Sequence, residues 1–199
     1  MTDNVLKPQL WAQRPVSETL QVYTDWADQY ESDIKERGYV TPMRIAEALL
    51  PQIAPGAKIL DFGCGTGLSG LALKAAGLGP LDGTDITPAM VDQARDKNIY
   101  EKLWVSQPGD APPSGYDAIV AAGVVSLGAA PPETFDLLLD ALQPGGLLAL
   151  SFNDPTLADG SYDARVEARK ADAEMLSRAH GDHLPGVGMG ADVLVLRRR

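Results

Sequence analysis

A chain of 199 residues with 45% apolar and 22% charged residues can build one domain with a full core. It is too short for two ordinary domains and too apolar for a disordered chain. Its net charge of −10 repels phosphate backbones, so no nucleic-acid partner is expected. With Cys64 as the only cysteine, an intramolecular disulfide is impossible, and no metal-ligand spacing is present, so no metal is expected.

The chain opens Met1-Thr2-Asp3-Asn4, without the basic start and apolar core of a signal peptide. Its richest apolar stretch, residues 118–130, is broken by Gly123, Ser126 and Gly128 and falls short of the ~18 residues a membrane span needs. A soluble cytoplasmic protein without a membrane partner is expected. Residues 17–37 place Leu20, Tyr23, Ala27, Tyr30 and Ile34 at spacings of three and four, one face of an amphipathic helix, with Trp26 beside it. Such a face packs on a core or covers a ligand.

Past residue 57, short apolar runs alternate with helical patterns, the order of a doubly wound α/β sheet. Strands are expected over 58–63, 79–85, 103–107, 116–123 and 147–153. Helices are expected over 68–76, from Thr87-Pro88 onward, from Pro131 through Leu142, and over 161–179 with a stop at Gly181. Thr87 is expected to cap its helix. The end of the chain holds a strand at 193–196 and a weak one near Val187, separated by Gly188-Met189-Gly190, and the basic end Arg197-Arg198-Arg199 reads as solvated.

The chemistry concentrates in the run from Lys58 to Leu68. An apolar strand ends in Asp61-Phe62, and Gly63, Gly65 and Gly67 follow at alternate positions before a helix. Such a turn lets backbone N–H groups approach a ligand closely, because no Cβ intervenes. A dinucleotide turn reads G-x-G-x-x-G, and here its sixth position is Leu68. That argues against a nicotinamide-dependent oxidoreductase. Asp85 ends the second strand eighteen residues beyond Gly67, where a carboxylate can accept from both hydroxyls of a ribose. An ordinary helix N-terminal charge is the alternative reading of Asp85.

The string Asp61-Phe62-Gly63-Cys64-Gly65-Thr66-Gly67 resembles the first motif of class I S-adenosylmethionine (SAM)-dependent methyltransferases. The resemblance implies a mostly parallel seven-stranded Rossmann-like sheet with the last strand antiparallel. It implies one methyltransferase domain, with residues 1–57 as a helical cap and 58–199 as the core. SAM would be the cofactor and S-adenosylhomocysteine (SAH) the product. Asp85 would hold the ribose, and Ile86 and Met90 would offer apolar walls to the adenine. Asp61 would face the methionine ammonium or a turn N–H, Cys64 would be a small packing side chain within the cofactor-binding turn, and Gly123, at the end of strand four, would border the cofactor. Related enzymes place an acidic residue after strand three for the adenine amino group. Gln107 stands there instead, with Asp110 as the nearest carboxylate.

Residues 23–33, Tyr23 to Asp33, and 81–90, Leu81 to Met90, look like the Williams–Beuren-syndrome-region methyltransferase-like family and its bacterial relatives. In such proteins the N-terminal helices cover the cofactor, which implies that Tyr30 and Tyr39 reach its methionine end. The expected activity is methyl transfer to a small soluble acceptor, and the alternative is a SAM-binding regulator without transfer. Neither an acceptor nor a catalytic residue follows from these strings.

Overall fold

The computed structural model describes residues 11–199, so the expectation for Met1 to Asn4 lies outside the described residues. Its strands are β1 (Ile59–Phe62), β2 (Leu81–Asp85), β3 (Lys102–Val105), β4 (Ala118–Ala121), β5 (Leu147–Asn153), β6 (Ala173–Leu184) and β7 (Met189–Arg198). They form one sheet in the order β3-β2-β1-β4-β5-β7-β6. The first five pair in parallel, and β7 runs antiparallel to both β5 and β6. The helices are α1 (Val16–Glu36), α2 (Thr41–Leu49), α3 (Leu68–Ala75), α4 (Pro88–Asp96), α5 (Thr134–Ala141), α6 (Asp154–Asp159) and α7 (Ser161–Ala168). The expected doubly wound, Rossmann-like architecture is present. Among the described residues no helix is long and apolar enough to cross a membrane.

β4 and most of β5 are apolar because successive side chains leave opposite faces of the pleat and both faces are covered there. Ile59, Ala118, Val120, Leu147, Ala149, Val193 and Val195 form one core with Ile45 and Leu49 of α2 and Leu73 of α3. Their alternates Leu60, Ile119, Ala121, Leu148, Leu150, Leu194 and Leu196 form the other, with Phe135, Leu138 and Leu139 of α5 and Tyr162 and Val166 of α7. A one-residue slip in any strand would exchange the two sets, so the register is firmly specified. A third, smaller cluster of Trp26, Ile34 and Leu184 joins α1 to the tip of the β6–β7 hairpin.

One expected helix is shorter than the spacing suggests. The pattern over 161–179 continues only to Ala168, and Ala173–Leu184 is the long edge strand β6. The ladder to β7, from Ala173 opposite Arg198 to Leu184 opposite Met189, outweighs local helical preference. Irregularities at Met175/Ser177 and Asp182/Leu184 interrupt the two-residue alternation that would have marked a strand. Gly181, expected as a helix stop, lies inside this strand.

Two arginines close the frame by satisfying carbonyls. Arg44 of α2 donates to the carbonyls of Ala179, Asp182 and Ala191, at 2.8–2.9 Å, tying α2 to the β6–β7 hairpin. Arg198 donates to the carbonyls of Leu139, Asp140 and Leu142 at the C-terminus of α5, where free carbonyls and the helix dipole favour a cation. The basic chain end is therefore partly structural, not simply solvated.

Phe135 is fully buried between α5 and the sheet. Phe135→Ala is expected to cost about 3–5 kcal/mol of stability, the range for emptying a buried aromatic site. Urea unfolding would show this as a lower midpoint with an unchanged slope.

Candidate functional site

The parallel register sets the site. Phe62 lies opposite Thr84, and the ladder continues into the turns through Cys64 N–H donating to the Thr84 carbonyl at 2.9 Å. The β1–α3 and β2–α4 turns therefore lie side by side at the carboxyl edge of the sheet, where ligands of open α/β sheets bind. Gly63, Gly65 and Gly67 all adopt positive φ, at 68°, 53° and 95°. At Gly63 a Cβ would also collide with the Val124 side chain, so glycine is required there twice over.

Asp85 locks the two turns together. One carboxylate oxygen accepts from Gly65 N–H at 2.9 Å, and the other accepts from Thr87 N–H at 2.8 Å. Burial pushes its pKa up, opposed by these backbone donors together with the Thr87 hydroxyl and the Ile86 N–H. Thr87 occupies the N-cap position of α4 with Pro88 after it, but its side chain makes no capping bond to the helix. The expectation that the Thr87 side chain caps α4 is thus corrected: Thr87 holds the N-cap position, and its own N–H is donated to Asp85.

Above these turns opens a cleft of about 450 Å3. Gly63, Gly65, Asp85, Ile86, Met90, Gln107, Gly123 and Tyr30 line it, as does Asp110. Val16, Thr19, Tyr23 and Tyr30 bring one face of α1 to the cleft, at spacings of three, four and seven. A smaller cavity of about 30 Å3 lies by the glycine turn, lined by Tyr30, Tyr39, Cys64, Thr66 and Ser69 among others. It shares Tyr30, Gly63, Gly65 and Ala122 with the main cleft.

Two of the residues singled out in the sequence do not line either space. Gly67 packs against α4, where a Cβ would meet Ala94 at 3.5 Å. Asp61 lies buried below the turn, and its partners are hydroxyls: Ser69 Oγ at 2.7 Å and Tyr100 OH at 2.6 Å, both on Oδ2. Asp61 Oδ1 and the Thr66 hydroxyl are buried with no hydrogen-bond partner. Burial pushes the Asp61 carboxyl up to about 6, against the two hydroxyl donors. Burial likewise raises Cys64 well above the usual thiol range, and the nearby carboxylates Asp61 and Asp85 add to it. A thiol held protonated in this way is inert, as the sequence suggested.

Sequence reasoning missed Tyr100, the side chain beneath Asp61, and the segment 129–137 that walls the far end of the cleft. Gly83 inside β2 was the available sign of Tyr100, because glycine within a strand often marks a close approach. The loop after β3 is organised by Asp110, whose carboxylate accepts from Gln107 N–H at 3.0 Å.

Comparison with known proteins agrees with this geometry. A family model described as a methyltransferase domain matches residues 33–186. Methyltransferase-like protein 27 of Homo sapiens is 34% identical over 172 residues, covering 82% of this chain and 68% of that protein. Ribosomal protein L11 methyltransferase of Burkholderia multivorans is 29% identical over 150 residues, and the match spans only 49% of its length. Among solved structures, magnesium protoporphyrin IX methyltransferase from Synechocystis PCC 6803 with bound SAH superposes with a TM-score of 0.64. It is 16% identical and covers 91% of this chain and all of that one. A TehB-like SAM-dependent methyltransferase from Corynebacterium glutamicum gives 0.61 at 21% identity, covering 93% of this chain and all of that one. With the family match spanning most of the chain, the protein belongs to the methyltransferase domain family and is a class I, SAM-dependent methyltransferase.

Proposed function

We propose that this enzyme transfers the methyl group of SAM to a small soluble acceptor, with the cofactor seated along the two turns. The observation that carries the reading is Asp85, a buried carboxylate that lines the cleft with one oxygen on the glycine turn and the other on the start of α4. Two vicinal ribose hydroxyls need that arrangement of paired acceptors. The residues present fit the rest of the cofactor. Ile86 and Met90 supply apolar walls for adenine, and Gln107 or Asp110 supplies an acceptor for its amino group. The glycine turn, Cys64, the unpartnered Thr66 hydroxyl and the free oxygen of Asp61 suit an amino-acid moiety carrying both charges. Tyr30, Tyr39 and Gly123 border that end.

When bound, SAM supplies an already activated methyl group on a sulfonium centre, open to in-line displacement. The protein then has to position the acceptor and exclude water. Burial raises the pKa of the Tyr23, Tyr30 and Tyr39 hydroxyls, so they stay protonated and act as hydrogen-bond donors and not as bases toward the acceptor. The finer placement, among the Williams–Beuren-syndrome-region methyltransferase-like proteins, is supported by residues 23–33 and by the likeness to methyltransferase-like protein 27. The substrate in the L11 methyltransferases' name is not carried over, since this chain matches about half of their length. The division into a cap before residue 58 and a core after it, and action in the cytoplasm, belong to this same reading.

Methyl-labelled SAM incubated with the protein and a metabolite extract is expected to yield SAH and a labelled small molecule. Binding of SAM without any extract-dependent SAH would instead favour a regulatory binder. Asp85→Ala should weaken SAM binding by about 2–4 kcal/mol, because two hydrogen bonds to one charged acceptor are lost together. Isothermal titration against a variant shown to be folded measures this, and unchanged affinity would remove Asp85 from the ribose.

The cap has its own test. α1 rests on its aromatic cluster and on α4 through Lys97–Glu31 at 2.6 Å, outside both sheet cores. Segments held this way open at lower free energy than the sheet. Amide exchange over residues 17–40 is expected to be fast without ligand and to slow markedly with SAH. β1 and β4 should exchange slowly in both conditions. Equal protection with and without ligand would mark α1 as plain packing and take Tyr30 and Tyr39 off the site.

A further inference from the structure

Asp61, next to the end of β1, has no exposed surface, and its Oδ1 has no hydrogen-bond partner. The two hydroxyl donors, Ser69 Oγ and Tyr100 OH, both sit on Oδ2. Tyr100 comes from the link between α4 and β3, and its ring passes through a gap made by two glycines. A Cβ on Gly83 of β2 would stand 2.9 Å from the ring, and one on Gly70 of α3 would collide with the phenol. Neither glycine has a positive φ, so the backbone does not require them there. Glycine within a helix costs about 1 kcal/mol against alanine. The space these two glycines leave is filled by Tyr100, and the result is a phenol aimed at one oxygen of a buried acid.

We propose that Tyr100 is a positioning residue for the cofactor: by fixing Asp61 Oδ2 together with Ser69, it reserves Oδ1 for the α-ammonium of SAM or SAH, and it thereby makes cofactor affinity depend on the ionisation of Asp61. This rests on the cofactor placement proposed above.

The surroundings support such a dependence. Burial pushes Asp61 up to about 6, and the hydroxyls of Ser69 and Tyr100 and the Gly70 N–H hold it down. Asp85 of β2 faces it and pushes it further up. Cys64 of the turn and Tyr39 of the α1–α2 link also lie within its field, and burial keeps both protonated. The groups facing Asp61 are thus neutral or acidic. Tyr100 itself is driven far above the usual phenol range by burial and by Asp61, so it remains a donor at every working pH. Above pH 6 the free oxygen carries charge toward an ammonium, and below it the carboxyl is neutral and that attraction is lost. A cationic ligand should therefore bind more weakly as the pH falls.

The test compares SAH with 5′-methylthioadenosine, which carries the same nucleoside and no amino-acid group, by isothermal titration between pH 5 and 8.5. The nucleoside reports on Asp85, and the ratio of the two affinities isolates Asp61. In the wild type that ratio is expected to fall about ten-fold from pH 8 to pH 5, one unit below the Asp61 midpoint. Tyr100→Phe removes a donor to the ionised form, so the midpoint of the ratio should move up by about one pH unit. SAH should then bind about five-fold more weakly near pH 6 and about two-fold near pH 7, and recover by pH 8.5, with methylthioadenosine unchanged. Ser69→Ala should shift the midpoint in the same direction, and it decides the question if Tyr100→Phe does not fold. A flat ratio in the wild type, or equal weakening of both ligands at every pH in the variants, overturns the proposal. Failure of both ligands to bind wild type at any pH would instead overturn the cofactor placement.

Discussion

The carboxylate of Asp85 bound to the N–H groups of Gly65 and Thr87 is the interaction on which the site depends. It joins the glycine turn after β1 to the start of α4 after β2, two segments that the parallel register only brings near each other. Charge-assisted hydrogen bonds of this kind are roughly twice as strong as neutral ones. Each donor would otherwise be an unpaired N–H at a turn or helix start. The residue that shapes the cleft is therefore also one that lines it. Structure and binding are not separable there.

A second constraint is the separation of cores. The sheet is packed on both faces by residues that alternate strictly along β1, β4, β5 and β7, while α1 adheres through an aromatic group of its own. Trp26 and Tyr30 meet edge to face at 4.8 Å, and Tyr23 lies 6.2 Å and 6.4 Å from them. The Trp26 indole donates to Asp33 at 2.6 Å within the same helix. Such a cluster holds the helix together as a unit and lets it rest on the cleft with few ties to the sheet. A site that must admit a ligand and then exclude water benefits from a cover of this kind.

Buried polar groups follow a consistent logic across the molecule. Asp82, on the same strand as Asp85, has its charge met by Tyr116 OH at 2.8 Å, Lys102 N–H at 3.0 Å and Lys58 Nζ at 3.1 Å. His183, pushed down to about 4 by burial, pairs with the Thr41 hydroxyl at 2.7 Å. Asp61 and Thr66 depart from that pattern, each with a buried oxygen left unpaired beside the glycine turn, and so does the Ser177 hydroxyl on β6. Unpaired buried groups are costly.

The strand order up to β5, the glycine turn and Asp85 were legible in the sequence, because each rests on a local signal. Apolar runs mark buried parallel strands, glycine at alternate positions marks a positive-φ turn, and an acid at a strand end marks a ligand-facing edge. The long amphipathic face of α1 was legible for the same reason. Tertiary structure decided the rest. β6 forms because β7 pairs with it, against a helical spacing that ran on to Ala179. Asp85 accepts both the Thr87 N–H before α4 and the Gly65 N–H, because β1 and β2 bring the glycine turn within reach of the same carboxylate. Tyr100 finds Asp61 across 39 residues only because Gly70 and Gly83 leave room for its ring. Local periodicity carries no record of such pairings, since they exist only once distant segments share a volume.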